Sequence, residues 1–158
     1  MVCSFMTSYS SARAVARAVL VAAGLALALP ALAAGSSDTT PTPPAISEVN
    51  AVLKTGNYGA AISMLNQILE QDAGNADALN LMGYSLRKSG NWKRGEAFYL
   101  RALKINPKHR GANEYLGELY VETGRIDKAN ERLGVLKTVC GTDCEEYKDL
   151  AEAIAKGK

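Results

Sequence analysis

Between Val49 and Leu136 the apolar residues recur at intervals of three and four, and a short polar stretch holding a glycine interrupts them three times. TGNYGAA from Thr55, SGNWKRG from Ser89 and TGRIDKA from Thr123 can be laid over one another, with Gly56, Gly90 and Gly124 spaced by 34 and 34. Helical spacing precedes each glycine and resumes after it, which predicts a helix, a tight turn and a second helix in every unit. Glycine there supplies the left-handed conformation that ends the first helix. After Cys144 the stretch EEYKDLAEAIAKGK places Tyr147, Leu150, Ala151 and Ile154 on one face of an otherwise charged helix. Asp143 with Glu146, or Thr142 with Glu145, offers a capping-box start for it.

The 34-residue period, with Leu79, Met82, Gly83 and Leu86, then Tyr99, Ala102 and Pro107, resembles the tetratricopeptide repeat (TPR) family. A third copy supplies Leu116, Gly117, Tyr120, Ala129, Leu133 and Leu136. The first has Glu48 where Leu is usual, but keeps Val49, Val52, Ala61, Leu65 and Ile68. The resemblance implies an all-α, right-handed α-solenoid of about three helical hairpins, at 42–75, 76–109 and 110–143, with a capping helix at 144–158. Small residues, Gly83 against Gly95 and Gly117 against Ala129, are expected to let the helices of a hairpin approach closely. One hairpin cannot bury its outer apolar stripe, so neighbours stack.

Carried over by position, the resemblance implies a concave, partner-binding groove lined by the first helix of each hairpin. It would present Ile46, Asn50, Leu53 and Lys54; then Asp77, Asn80, Tyr84, Arg87 and Lys88; then Glu114, Glu118, Val121 and Glu122. Such a groove would be basic in its middle and acidic towards its C-terminal end. TPR domains that clamp a terminal carboxylate use Lys, Asn and Arg at set positions. Here only Asn50 matches, and Ile46, Leu81, Gly111 and Tyr115 stand at the others. Trp92 shares a repeat position with Tyr58 and Ile126, which predicts packing rather than ligand stacking.

The N-terminus changes the charge picture. Arg13 and Arg17 precede an unbroken run, Ala18 to Leu29, of twelve apolar or glycine residues, closed by Pro30 and Ala31-Leu32-Ala33. This is the order of a secretory signal peptide, expected at 1–33, and the run is short for a membrane anchor. A Ser/Thr/Pro-rich tether is expected at 34–43. Removing the two leader arginines from 18 basic residues leaves 16 against 16 acidic ones, so the basic excess of a nucleic-acid binder is absent. An exported, periplasmic protein with no membrane span after processing is predicted; secretion and N-terminal anchoring are the alternatives.

Cys140 and Cys144 have three residues between them, at the exit of the third hairpin. In an exported chain the pair is expected to oxidise to a disulfide that fixes the cap helix. A thiol-redox or copper-handling role is the alternative, since a thiol at a helix N-terminus is stabilised as thiolate. Zinc would need four ligands, and the single histidine, His109, is expected to be a solvated turn residue. Glu114, Glu118 and Glu122 are expected to form a solvated carboxylate row. No nucleophile, phosphate-loop or metalloprotease motif occurs. The sequence therefore predicts a non-enzymatic binding scaffold without cofactor or metal, its partner a protein or peptide of the cell envelope. A structural subunit of an envelope assembly is the third reading.

Overall fold

A computed structural model describes residues 42–157 of the chain, so the expected leader and all but the end of the tether lie outside the described residues. Seven helices follow in order: α1 (Ile46–Lys54), α2 (Tyr58–Gln71), α3 (Ala76–Lys88), α4 (Trp92–Ile105), α5 (Arg110–Glu122), α6 (Ile126–Cys140) and α7 (Glu145–Lys156). No strand occurs among the described residues.

Local chemistry sets the helix ends. Gly56, Gly90 and Gly124 have φ of 75°, 79° and 72°, and each closes the first helix of a hairpin. Behind the second and third, the Asn91 and Arg125 amides donate to the carbonyls of Leu86 (2.8 Å) and Tyr120 (2.7 Å). Asn57 and Asn75 cap α2 and α3 by accepting from the amides of Ala60 and Ala78. Glu48, the residue out of family pattern, accepts from the Ala45 amide at the start of α1. For α7 the expected capping box does not form. The N-cap is Cys144, without a side-chain cap bond, and Glu146 pairs with Arg110 of α5 instead.

The first helices form one row, α1 against α3 against α5, and α7 takes the next place against α5 and α6. Val49, Ala61, Leu65, Ile68, Ala78, Met82 and Leu86 make one part of the core; Leu79, Tyr99, Ala102, Leu116, Leu119, Leu136, Leu150 and others make the second. Leu69 and Phe98 pack against both, so the hydrophobic interior is continuous. Burying Leu116 contributes about 2 kcal/mol by apolar transfer.

The small residues work differently from the simple expectation. A Cβ on Gly95 would lie 3.0 Å from the Gly83 carbonyl, the close helix approach expected. At Gly83 itself the added carbon would meet the Tyr99 ring at 2.6 Å. At Gly117 it would meet Leu150 of α7 at 2.5 Å, so that notch admits the cap rather than Ala129. Trp92 also departs from expectation. It sits at the first turn of α4 and is 49% exposed, as are Leu100 and Ile105 to similar degrees.

Candidate functional site

α1, α3 and α5 place Asn50, Leu53, Lys54, Leu81, Tyr84 and Tyr115 around a concavity of about 320 Å³. The tyrosines form its floor. The rings of Tyr84 and Tyr115 are 5.0 Å apart and tilted by 45°, and Tyr58 meets Tyr84 edge-on at 6.2 Å. Lys88 lies over Tyr84, its Nζ 5.6 Å from the ring centre. Asn50 and Lys54 are exposed at the rim.

Arg87 corrects the expected charge map. Its guanidinium lies 5.8 Å from the centres of both Tyr84 and Tyr115, and the residue is only 3% exposed. Nη2 donates to Glu118 at 2.5 Å and Nη1 to Glu122 at 3.3 Å. The Arg87 part of the basic middle is thus neutralised by α5, because a guanidinium leaves water only where carboxylates accept its hydrogen bonds, while Lys88 stays exposed. The carboxylate row is thus only partly a solvated face: Glu118 and Glu122 hold Arg87 while keeping contact with water, and Glu114 is buried. Burial first, then the nearby carboxylates Glu118, Asp149 and Glu146, push the Glu114 carboxyl up to about 8, with Arg87 opposing.

Two further expected groove residues are engaged elsewhere. Asn80 is buried where α3 crosses Gly111 of α5. Asp77 accepts from His109, whose Nε2 is 2.9 Å away. His109 is not a solvated turn residue. It is the N-cap of α5, its Nδ1 accepting from the Ala112 amide at 3.1 Å, which leaves Nε2 as the nitrogen that donates to Asp77. Two groove residues were missed from sequence, Leu81 and Tyr115, both noted only as departures from the clamp pattern. Tyr115 stands 31 positions after Tyr84, close to one repeat, which is the spacing that sets residues on neighbouring first helices face to face.

At the α6–α7 turn the structure joins Cys140 and Cys144 in a disulfide, Cα atoms 5.9 Å apart. One carboxylate oxygen of Glu146 lies within 4.8 Å of both sulfurs. In this bonded form neither sulfur is a thiolate, so metal ligation or nucleophilic attack by either cysteine requires the reduced pair.

Residues 52–110 match the tetratricopeptide repeat family model. The matched stretch runs from within α1 to the start of α5. Among curated proteins, anaphase-promoting complex subunit 3 of Schizosaccharomyces pombe is 25% identical over 107 residues, covering 61% of this chain and 16% of that protein. The chain thus spans about a sixth of that relative's length. The Arabidopsis OM64 TPR domain superposes with a TM-score of 0.63 at 14% identity, over 71% of this chain and 92% of that one. The second TPR domain of human RPAP3, solved with the HSP70 peptide SGPTIEEVD, gives 0.59 at 16% identity, over 68% and 89%. These structures share the helical-repeat fold of α1–α7. Among the described residues no helix is long and apolar enough to cross a membrane.

Proposed function

We propose that this TPR array is a non-enzymatic interaction module of the cell envelope, holding an extended segment of a partner protein in the groove across α1, α3 and α5. One observation carries the reading: Tyr84, Tyr115, Leu53 and Leu81 floor a concavity whose rim, at Asn50 and Lys54, is free to pair. Aromatic floors with a polar rim supply contact area and orientation together. The peptide held by the related RPAP3 domain supports a peptide guest in kind. A carboxylate clamp is no part of the proposal, since Leu81, Gly111 and Tyr115 replace its polar groups. Placement in the envelope rests on the leader pattern at 1–33.

A photo-crosslinking side chain at Leu53 tests the groove, with Lys104 of α4 as the control position. The partner is expected to be captured from residue 53 and not from residue 104. Capture from residue 104 alone would replace the groove by the structural-subunit reading, which the exposed Trp92, Leu100 and Ile105 of α4 favour. Copper binding, or reduction of a partner disulfide, requires free thiols at Cys140 and Cys144. Titration of protein isolated without reductant is expected to find the pair oxidised.

A further inference from the structure

The second helices α2, α4 and α6 are equivalent by repeat position but show solvent different chemistry. α2 exposes Ser63, Asn66, Gln67 and Glu70, and holds no lysine or arginine. α6 exposes Asp127 and Glu131 with Lys128 and Lys137, which balance. α4 exposes Lys93, Arg94, Arg101 and Lys104, and among the described residues none of these has a carboxylate partner. Its one acid, Glu96, is turned to Arg125, 2.8 Å away. At about 100° per residue the four cations share a sector about 100° wide and about 16 Å long. Leu100 and Ile105, each about half exposed, fall at its two margins, and Trp92 falls outside it. Beyond Ile105, the residues Pro107, Lys108, Gly134, Val135 and Val139 border a hollow of about 540 Å³. Val135 and Val139 stand 34 positions after Arg101 and Ile105, so the hollow opens on the same outward side.

Nothing in the fold uses this face. The tyrosine-floored concavity is lined from α1, α3 and α5, so α4 contributes nothing to it. Lone exposed apolar side chains are ordinary, and so are lone lysines. A one-sign strip edged by two aliphatic side chains and an apolar hollow is neither. Two copies meeting through it would set four cations against four, which repel. An acidic peptide laid along the strip would reach one margin and leave the other in water. A soluble polyanion would pair the cations and leave both aliphatic side chains wet. A bilayer bearing anionic headgroups is broad enough for all of them. Its phosphates accept from the ammonium and guanidinium groups, and the layer beneath receives Leu100 and Ile105 and fills the hollow. We propose that the outward face of α4, with the adjoining hollow on α6, docks the protein on an anionic phospholipid surface. The face lies flat on the membrane and nothing crosses it. The groove on α1, α3 and α5 stays uncovered, so a guest is held beside the membrane. The inference needs the envelope placement only to put a bilayer within reach, and it does not depend on what the groove binds.

The test uses the full chain with vesicles of equal parts phosphatidylcholine and phosphatidylglycerol, against vesicles of phosphatidylcholine alone. An environment-sensitive fluorescent side chain is placed at residue 100 and, in a second protein, at residue 66, its repeat equivalent on α2. Emission from residue 100 is expected to shift to the blue with the anionic vesicles and not with the neutral ones, while emission from residue 66 stays. The residue 66 control also subtracts any vesicle contact made by Arg13 and Arg17. Lys93→Gln together with Lys104→Gln should raise the lipid concentration for half the shift by roughly 25-fold, about fivefold for each cation. Lys137→Gln on α6 should change it by less than about twofold, and high salt should release the protein. All three substitutions are at exposed residues, and unchanged far-UV ellipticity confirms that the fold persists. Equal shifts at residues 100 and 66, equal shifts with neutral vesicles, or an unmoved half-shift in the double variant each overturns the docking face. Double-stranded DNA that shifts residue 100 as the vesicles do would make the partner a soluble polyanion and overturn it too. So would a protein, in place of lipid, captured from a crosslinker at residue 104. Crosslinking from residue 53 reads the groove separately, so either proposal can fail alone.

Discussion

The first hairpin and the two that follow are held together by different physics. Around α1 and α2 the contacts are hydrocarbon: Val49, Ala61, Leu65 and Ile68 against Ala78, Met82 and Leu86. Among the described residues no ion pair reaches either helix. From α3 onward, pairs bridge successive hairpins or the cap: Arg87 to Glu118 and Glu122, His109 to Asp77, Arg125 to Glu96, Arg110 to Glu146. Apolar contact is non-directional and holds two helices together without choosing their offset. A guanidinium held by two carboxylates one helical turn apart does choose. The difference teaches that this array gains adhesion from its leucines and register from its seams.

The largest expected effect tests what the regions share. Leu65→Ala and Leu150→Ala should each cost about 2–5 kcal/mol in urea unfolding, since both side chains are fully buried. A Leu150 variant losing less than about 1 kcal/mol would mean that α7 does not belong to the cooperative fold. Charge removal then separates the regions. Arg87→Met should cost about 1–2 kcal/mol, less than a fully buried pair because Glu118 and Glu122 keep contact with water. Lys54→Met on the first hairpin should stay within about 0.5 kcal/mol. Equal costs at the two sites would erase the distinction.

The smallest effect is a pH slope. Glu114 holds its proton more tightly folded than unfolded, so its contribution to stability is complete below the ordinary carboxyl value of 4.5 and is lost as pH rises through about 8. The urea midpoint should therefore fall from pH 5 to pH 8.5, and Glu114→Gln should flatten that fall. Parallel slopes for the two proteins would remove Glu114 as the cause.

The hairpins and the cap face were legible because glycine phase and leucine spacing repeat: Gly56, Gly90 and Gly124 mark the turns, Leu150 and Ile154 the buried side of α7. The groove's electrostatics were not. α3 is packed by α1, α2, α4 and α5, so its polar residues Asn80, Ser85 and Arg87 are buried at positions that a two-sided helix would leave wet. A signal did exist. Arg87 precedes Glu118 by 31 and Glu122 by 35, and Asp77 precedes His109 by 32. Hydrogen-bonding partners about one repeat apart fall on adjacent first helices or at their starts, as Tyr84 and Tyr115 do. The His109 cap escaped because imidazole seldom replaces the usual Asn, which does stand at Asn57 and Asn75. Trp92 escaped because sharing a repeat position with Tyr58 and Ile126 does not guarantee the same neighbours.

The Gly117 notch that receives Leu150 has an effect on assembly. A stack of hairpins that ends on a bare hydrocarbon face can accept the leading face of another copy, head to tail, and such growth has no built-in stop. With Leu150 and Ile154 turned inward, α7 shows solvent mainly Glu145, Lys148, Asp149, Glu152 and Lys156. One twelve-residue helix thereby replaces the apolar face of the third hairpin with a charged one.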